Sequence, residues 1–167
     1  MTNRFLGPLL CGSLLLFAVL TPAAAPAAPV NGVCSPTKMK YSASAKNSSQ
    51  TTSTTFVNIP EAGFNFVQGG SSASCVLVRF SAETAIGTNQ ILIVRAFLDN
   101  TTAALPAEAV YSSGRGDDNG ARVFEFVFPS VAPGSHLVRM QFRSFFGSAC
   151  PACVQIDRHN TVVQYAP

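Results

Sequence analysis

Three stretches of this chain alternate apolar and polar side chains with a period of two, and no stretch keeps a helical period with caps. In residues 74–83, Val76, Val78 and Phe80 fall on one side and Cys75, Leu77 and Arg79 on the other. In residues 122–128, Phe124, Phe126 and Phe128 oppose Glu125, and in residues 136–144, Val138, Met140 and Phe142 oppose Leu137, Arg139, Gln141 and Arg143. Residues 91–98 are apolar on both sides apart from Arg95, and residues 154–165 read as the last strand. Alternation of β-branched and aromatic residues specifies half-buried strands, because successive side chains of a strand point to opposite faces. The punctuation agrees: Gly69-Gly70, the run 117–120 (DDNG) and Pro133-Gly134 are turn chemistry. Pro133-Gly134 is expected to close a hairpin between the triple-Phe strand and the Val138/Met140/Phe142 strand. The expected fold is therefore all-β, an antiparallel β-sandwich of jelly-roll or immunoglobulin-like type.

The first part of the chain follows a different pattern. Arg4 precedes an apolar stretch over residues 5–20, followed by a run of Ala and Pro. That is the layout of a signal peptide over residues 1–27, with cleavage after Ala27. The stretch is short of the roughly 20 apolar residues of a spanning helix. Residues 28–54 form a Ser/Thr-rich N-terminal segment, which composition leaves open as a flexible leader or an edge strand, and residues 55–167 form the β-sandwich domain. Removing residues 1–27 takes away Cys11 and leaves Cys34, Cys75, Cys150 and Cys153. An even number of cysteines in an exported chain points to disulfides, with three pairings possible on paper; the expected pairs are a local Cys150–Cys153 bond and Cys34–Cys75. The expected location is secreted or extracytoplasmic, with no membrane contact after signal removal.

The segments FEFVFPSVAPGSHLVRMQFRS, CVLVRFSAE and VRAFLDN resemble a loose set of exported bacterial β-sandwich proteins, over roughly residues 74–166. That resemblance implies the sandwich and export, and it brings no functional residue, because the set has no established activity.

Each candidate for catalysis meets a competing structural reading. Cys150 and Cys153 have the spacing of a redox dithiol, but such sites stand at a helix N-terminus and a strand follows here. Zinc would need a second cysteine pair at close spacing, and Cys34 and Cys75 are lone residues. His136 and His159 are expected on neighbouring strands of a terminal hairpin, with Asp157 as the nearest carboxylate, too few ligands for a metal. Serine is abundant enough for a Ser–His–acid triad, yet no G-x-S-x-G elbow occurs. Arg115-Gly116-Asp117 spells a cell-adhesion tripeptide in a turn-rich loop. No cofactor or metal is expected. The net charge of +3 is too small and scattered for nucleic acid.

What stands out is a surface. Arg79, Arg95, Leu137, Arg139 and Arg143 lie opposite the core-facing residues, and apolar positions interleaved with Arg fit a binding face. The competing reading treats these positions as a second packed face, with Arg79 and Arg95 paired to Glu83 and Asp99. The functional expectation is a secreted, non-catalytic binding or surface-structural module, its partner an acidic protein or glycan. The alternative is a small secreted hydrolase or thiol-redox protein.

Overall fold

A computed structural model describes residues 32–44, 48–113, 118–147 and 153–167. The signal-peptide reading, Cys150 and the tripeptide at 115–117 lie outside the described residues. Residues 32–167 cluster as one compact unit. Among the described residues ten strands follow in order: β1 (Lys38–Ser44), β2 (Ser49–Thr51), β3 (Val57–Gln68), β4 (Ser74–Ile86), β5 (Ile91–Leu98), β6 (Thr102–Ala103), β7 (Ala109–Ser113), β8 (Asp118–Val131), β9 (Gly134–Ser144) and β10 (Val154–Tyr165). Among the described residues there is no helix, and thus none long and apolar enough to cross a membrane.

The strands form two antiparallel sheets. Sheet A has the order β1-β10-β4-β8, with β2 also on β10; sheet B has the order β3-β9-β5-β6, with β7 also on β5. Because β1 and β2 share one partner and β6 and β7 share another, the sandwich behaves as eight strands. The chain crosses between sheets at almost every connection. That is the jelly-roll order rather than the immunoglobulin one, in which consecutive strands such as A and B share a sheet.

The alternation explains the core. Val76, Val78 and Phe80 of β4 and Phe126 and Phe128 of β8 face inward from sheet A, with Phe126 0% exposed. Val94 and Ala96 of β5 and Val138, Met140 and Phe142 of β9 meet them from sheet B. Phe124, half-buried, packs on the edge of this cluster. Two irregularities adjust the pattern. In β10 the pairing with β4 shifts between Ile156 and His159, so inward positions change from even to odd numbers. In β3 the pairing with β9 shifts between Asn58 and Gly63, and Glu61 takes φ 60°. Val57–Gln68 is therefore one bulged strand.

The expected hairpin at Pro133-Gly134 is not formed: β8 lies in sheet A and β9 in sheet B. The turn reverses the chain as its residues require, but its chemistry does not say which sheet receives the next strand. The sheet that receives the strand is set by the whole sandwich, in which each sheet buries its apolar face against the other. For the same reason His136 on β9 and His159 on β10 sit in opposite sheets and not on neighbouring strands. Cys34, ahead of β1, is bonded to Cys75 at the start of β4, with Cα atoms 5.6 Å apart. Cys153 is also disulfide-bonded.

Candidate functional site

The outer face of sheet B gathers most of the expected surface. On β5 and β9 the rungs are Phe97 opposite Arg139, Arg95 opposite Gln141, and Ile93 opposite Arg143. Leu137, one outward position further along β9, is opposite Asn65 of β3. Arg95, Arg139, Arg143 and Leu137 thus share one face, and all are half-buried. Arg79 does not join them. It points outward from sheet A, where Glu125 of β8 lies opposite it and accepts its Nε–H at 2.8 Å. The physical cause is the crossing between β4 and β5, which sends equivalent outward positions to opposite sides of the sandwich.

The partners foreseen for the arginines are also different. Glu83 pairs with Arg158 at 3.3 Å, and Asp99 is occupied by His136. Arg95 instead donates Nε–H to Gln141 Oε1 at 2.7 Å, and Gln141 passes its own amide on to Asn58 Oδ1 at 2.8 Å. This chain of bonds runs straight across β5, β9 and β3. The Arg95 guanidinium carbon lies 4.0 Å from the Phe56 ring centre and 4.4 Å from that of Phe97. Flanking aromatic rings hold a guanidinium flat while leaving its edge open, because the attraction acts on the ring face. Burial lowers the Arg95 pKa from its ordinary value; the Glu108 charge opposes this and Arg143 adds to it. Among the described residues, only its Nε has a hydrogen-bond partner, so the terminal nitrogens of the fork are unoccupied.

Arg139 is placed by a tight turn. Asp99 and Asn100 both take positive φ, 50° and 59°, a conformation that Asp and Asn tolerate better than other side chains. The turn closes with Thr101 N–H on the Leu98 carbonyl at 3.0 Å. Asn100 Oδ1 then accepts from Arg139 at 2.6 Å, and Asp99 Oδ1 accepts the Leu137 N–H at 2.8 Å. On the other side Gly63 makes room: a Cβ there would lie 2.7 Å from the Val138 carbonyl and 3.1 Å from Arg139 Cγ. Arg143 is the one member held by a carboxylate. Glu108 contacts its terminal nitrogen through both oxygens, at 3.2 and 3.1 Å, and the Arg143 side chain is 16% exposed. It also lies 5.2 Å from the Phe56 ring centre.

Phe56, Glu108 and Asn100 escaped the sequence reading as members of this face. Phe56 and Glu108 precede strands in connecting segments, and no local pattern says which arginine such a residue will reach.

Among the described residues, no three His, Cys, Asp or Glu side chains gather as a metal site. One mixed cluster exists at the β3 bulge. Ser44 is opposite His159, and Ser44 Oγ donates to Glu61 Oε2 at 2.8 Å. His159 Nε2 donates to the Pro60 carbonyl at 3.0 Å, while its buried Nδ1 has no hydrogen-bond partner. Burial lowers the His159 pKa, against the opposing Pro60 carbonyl and Glu61 charge. That direction favours the neutral imidazole, but its Nε2 is engaged by backbone and not by the serine, as a general base would need.

No known family matches the chain, and no curated protein matches it. Among solved structures, it overlaps loosely with a family GH115 4-O-methyl-α-glucuronidase, BtGH115A, with specificity for decorated arabinogalactans. The identity is 14% and the TM-score 0.40, with 86% of this chain covered and 19% of that one. This chain therefore spans about a fifth of that protein, and an overlap so loose leaves function to the chain's own residues.

Proposed function

We propose that this chain is a secreted, non-catalytic binding module that captures carboxylate-bearing partners on the outer face of sheet B. The observation that carries the reading is the pair Arg95 and Arg139. They stand on adjacent rungs of neighbouring strands, and neither has an ion-pair partner among the described residues. A guanidinium fork held flat, partly desolvated and open at its edge is suited to a carboxylate, which it meets through two parallel hydrogen bonds. Export is supported by the layout of residues 1–27 and by the Cys34–Cys75 bond, which persists in oxidising compartments.

Binding to immobilised poly-L-glutamate tests the reading. The double substitution Arg95→Gln and Arg139→Gln should weaken binding by about tenfold or more, since each truncates a partly desolvated charge contact. Arg79→Gln, on the opposite sheet, should leave it nearly unchanged. An equal loss from both would mean that net charge, and not this face, does the binding.

The alternative, a small hydrolase, would have to act through the Ser44–Glu61–His159 cluster, in which Ser44 donates to Glu61 and His159 to a backbone carbonyl. Ester turnover that disappears in Ser44→Ala would favour it over the binding module.

A further inference from the structure

We propose that the β5–β9 face accepts an extended acidic peptide, and that Glu108 is an internal carboxylate occupying the last of its three cation positions. This rests on the binding reading above and narrows the partner to one class.

The spacing carries the first half. Arg139 belongs to the first outward rung, Arg95 to the second and Arg143 to the third. One cation therefore stands on each successive outward rung, alternating β9, β5, β9. Such rungs are two residues apart, roughly 7 Å along the strands. An extended peptide repeats its own same-side side chains at that interval. Acidic residues at every second position would meet the three guanidinium groups in turn, with the intervening side chains turned to solvent. A sugar chain is the poorer fit, because the Phe56 and Phe97 faces turned toward the patch are already covered by Arg95.

Glu108 carries the second half. It is a carboxylate of an ordinary peptide segment, just ahead of β7, with both oxygens on one terminal nitrogen of Arg143. Its charge also acts on Arg95. It shows how a peptide carboxylate sits on this face, and it leaves Arg139, bonded to Asn100, without a carboxylate and the terminal nitrogens of Arg95 open among the described residues. A partner with three properly spaced carboxylates must displace Glu108 to use the third cation; a partner with two need not. Glu108 thereby sets both the affinity and the length of acidic pattern that the face rewards.

The test uses the intact protein and a labelled synthetic peptide with three Glu alternating with Thr, read by fluorescence anisotropy. Glu108→Gln should tighten binding about fivefold, the scale of a partly exposed ion pair. Glu125→Gln removes the same charge from the outer face of sheet A and should change it less than about twofold. The alternating peptide should also bind more tightly than one with three contiguous Glu, and more tightly than an oligogalacturonate of equal charge. No gain from Glu108→Gln, or an equal gain from Glu125→Gln, overturns the role of Glu108. Equal or tighter binding of the contiguous peptide or the oligogalacturonate overturns the extended-peptide partner. Either failure leaves the binding reading standing if Arg95→Gln with Arg139→Gln still weakens binding by about tenfold or more. Unaltered binding in that double variant overturns both.

Discussion

His136 has an acceptor on each ring nitrogen: Asp99 Oδ2 lies 2.6 Å from Nδ1 and the Ala132 carbonyl 2.8 Å from Nε2. Only the protonated ring donates from both at once. Burial works to lower the His136 pKa, but the Asp99 hydrogen bond, the carbonyl and the Asp99 charge together outweigh it and raise it. For Asp99, burial works upward, and the bonds from His136 and the Leu137 N–H with the His136 charge bring it below its ordinary value. The signs follow from linkage. His136 contributes stability that is fully present below about pH 6.5 and lost as pH rises through its raised folded value. Asp99 contributes stability present above about pH 3.9 and lost as pH falls through its lowered value. Urea midpoints recorded from pH 5 to 9 should therefore contain a falling component that His136→Gln removes. His159 works in the opposite direction, since its lowered pKa withdraws stability as pH falls below about 6.5. A pH profile unchanged by His136→Gln would place the titrating proton elsewhere.

At the scale of the strand, β8 separates its two faces cleanly. Phe126 is fully buried between the sheets, while the neighbouring Glu125 side chain is 61% exposed beside Arg79. Phe126→Ala should lower unfolding stability by about 3–5 kcal/mol, as large-to-small changes in packed cores do. Glu125→Ala should cost less than about 1 kcal/mol, because an exposed ion pair is worth little. Equal urea midpoints for the two variants would mean that the faces are misassigned. The β3–β9 pairing gives a second comparison. A Cβ at Gly63 meets backbone, the Val138 carbonyl, which cannot move without disturbing β9. Gly63→Ala should cost about 1–3 kcal/mol, the range for overpacking, and should weaken poly-L-glutamate binding by displacing Arg139. Gly120, with nothing within 4 Å of its Cβ position, is the control for the steric contact.

The whole molecule is stapled where its first described segment meets the body of sheet A. Cys34 and Cys75 are 41 positions apart. A loop of that length is worth about 4 kcal/mol in the chain-entropy account of disulfides. Replacing both by Ala should lower the free energy of unfolding by up to about that amount, measured by urea titration without reductant. A change near zero would show that β1 contributes its pairing with β10 independently of the staple. The jelly-roll path also gives the two outer faces different characters. Sheet A presents the neutralised Arg79–Glu125 pair, and sheet B presents cations of which only Arg143 is neutralised by a carboxylate among the described residues.

The alternation of residues by itself determined β4, β8 and β9 and their core faces. Val78, Phe126 and Met140 are inward because a period of two leaves an apolar side no other place in a sandwich. The even cysteine count after signal removal pointed to disulfides, and the structure joins Cys34 to Cys75. Which strands became neighbours was not local. Pro133-Gly134 specifies a reversal, and the same reversal serves a hairpin or a crossing between sheets. Only the tertiary structure decided that Arg79 would leave the other arginines and that His136 and His159 would part. It alone brought Phe56 over Arg95 and Glu108 onto Arg143. The sandwich is selected by burying both apolar faces together, a quantity that belongs to no single segment. A site assembled from β5, β9 and two connecting segments is a product of that choice.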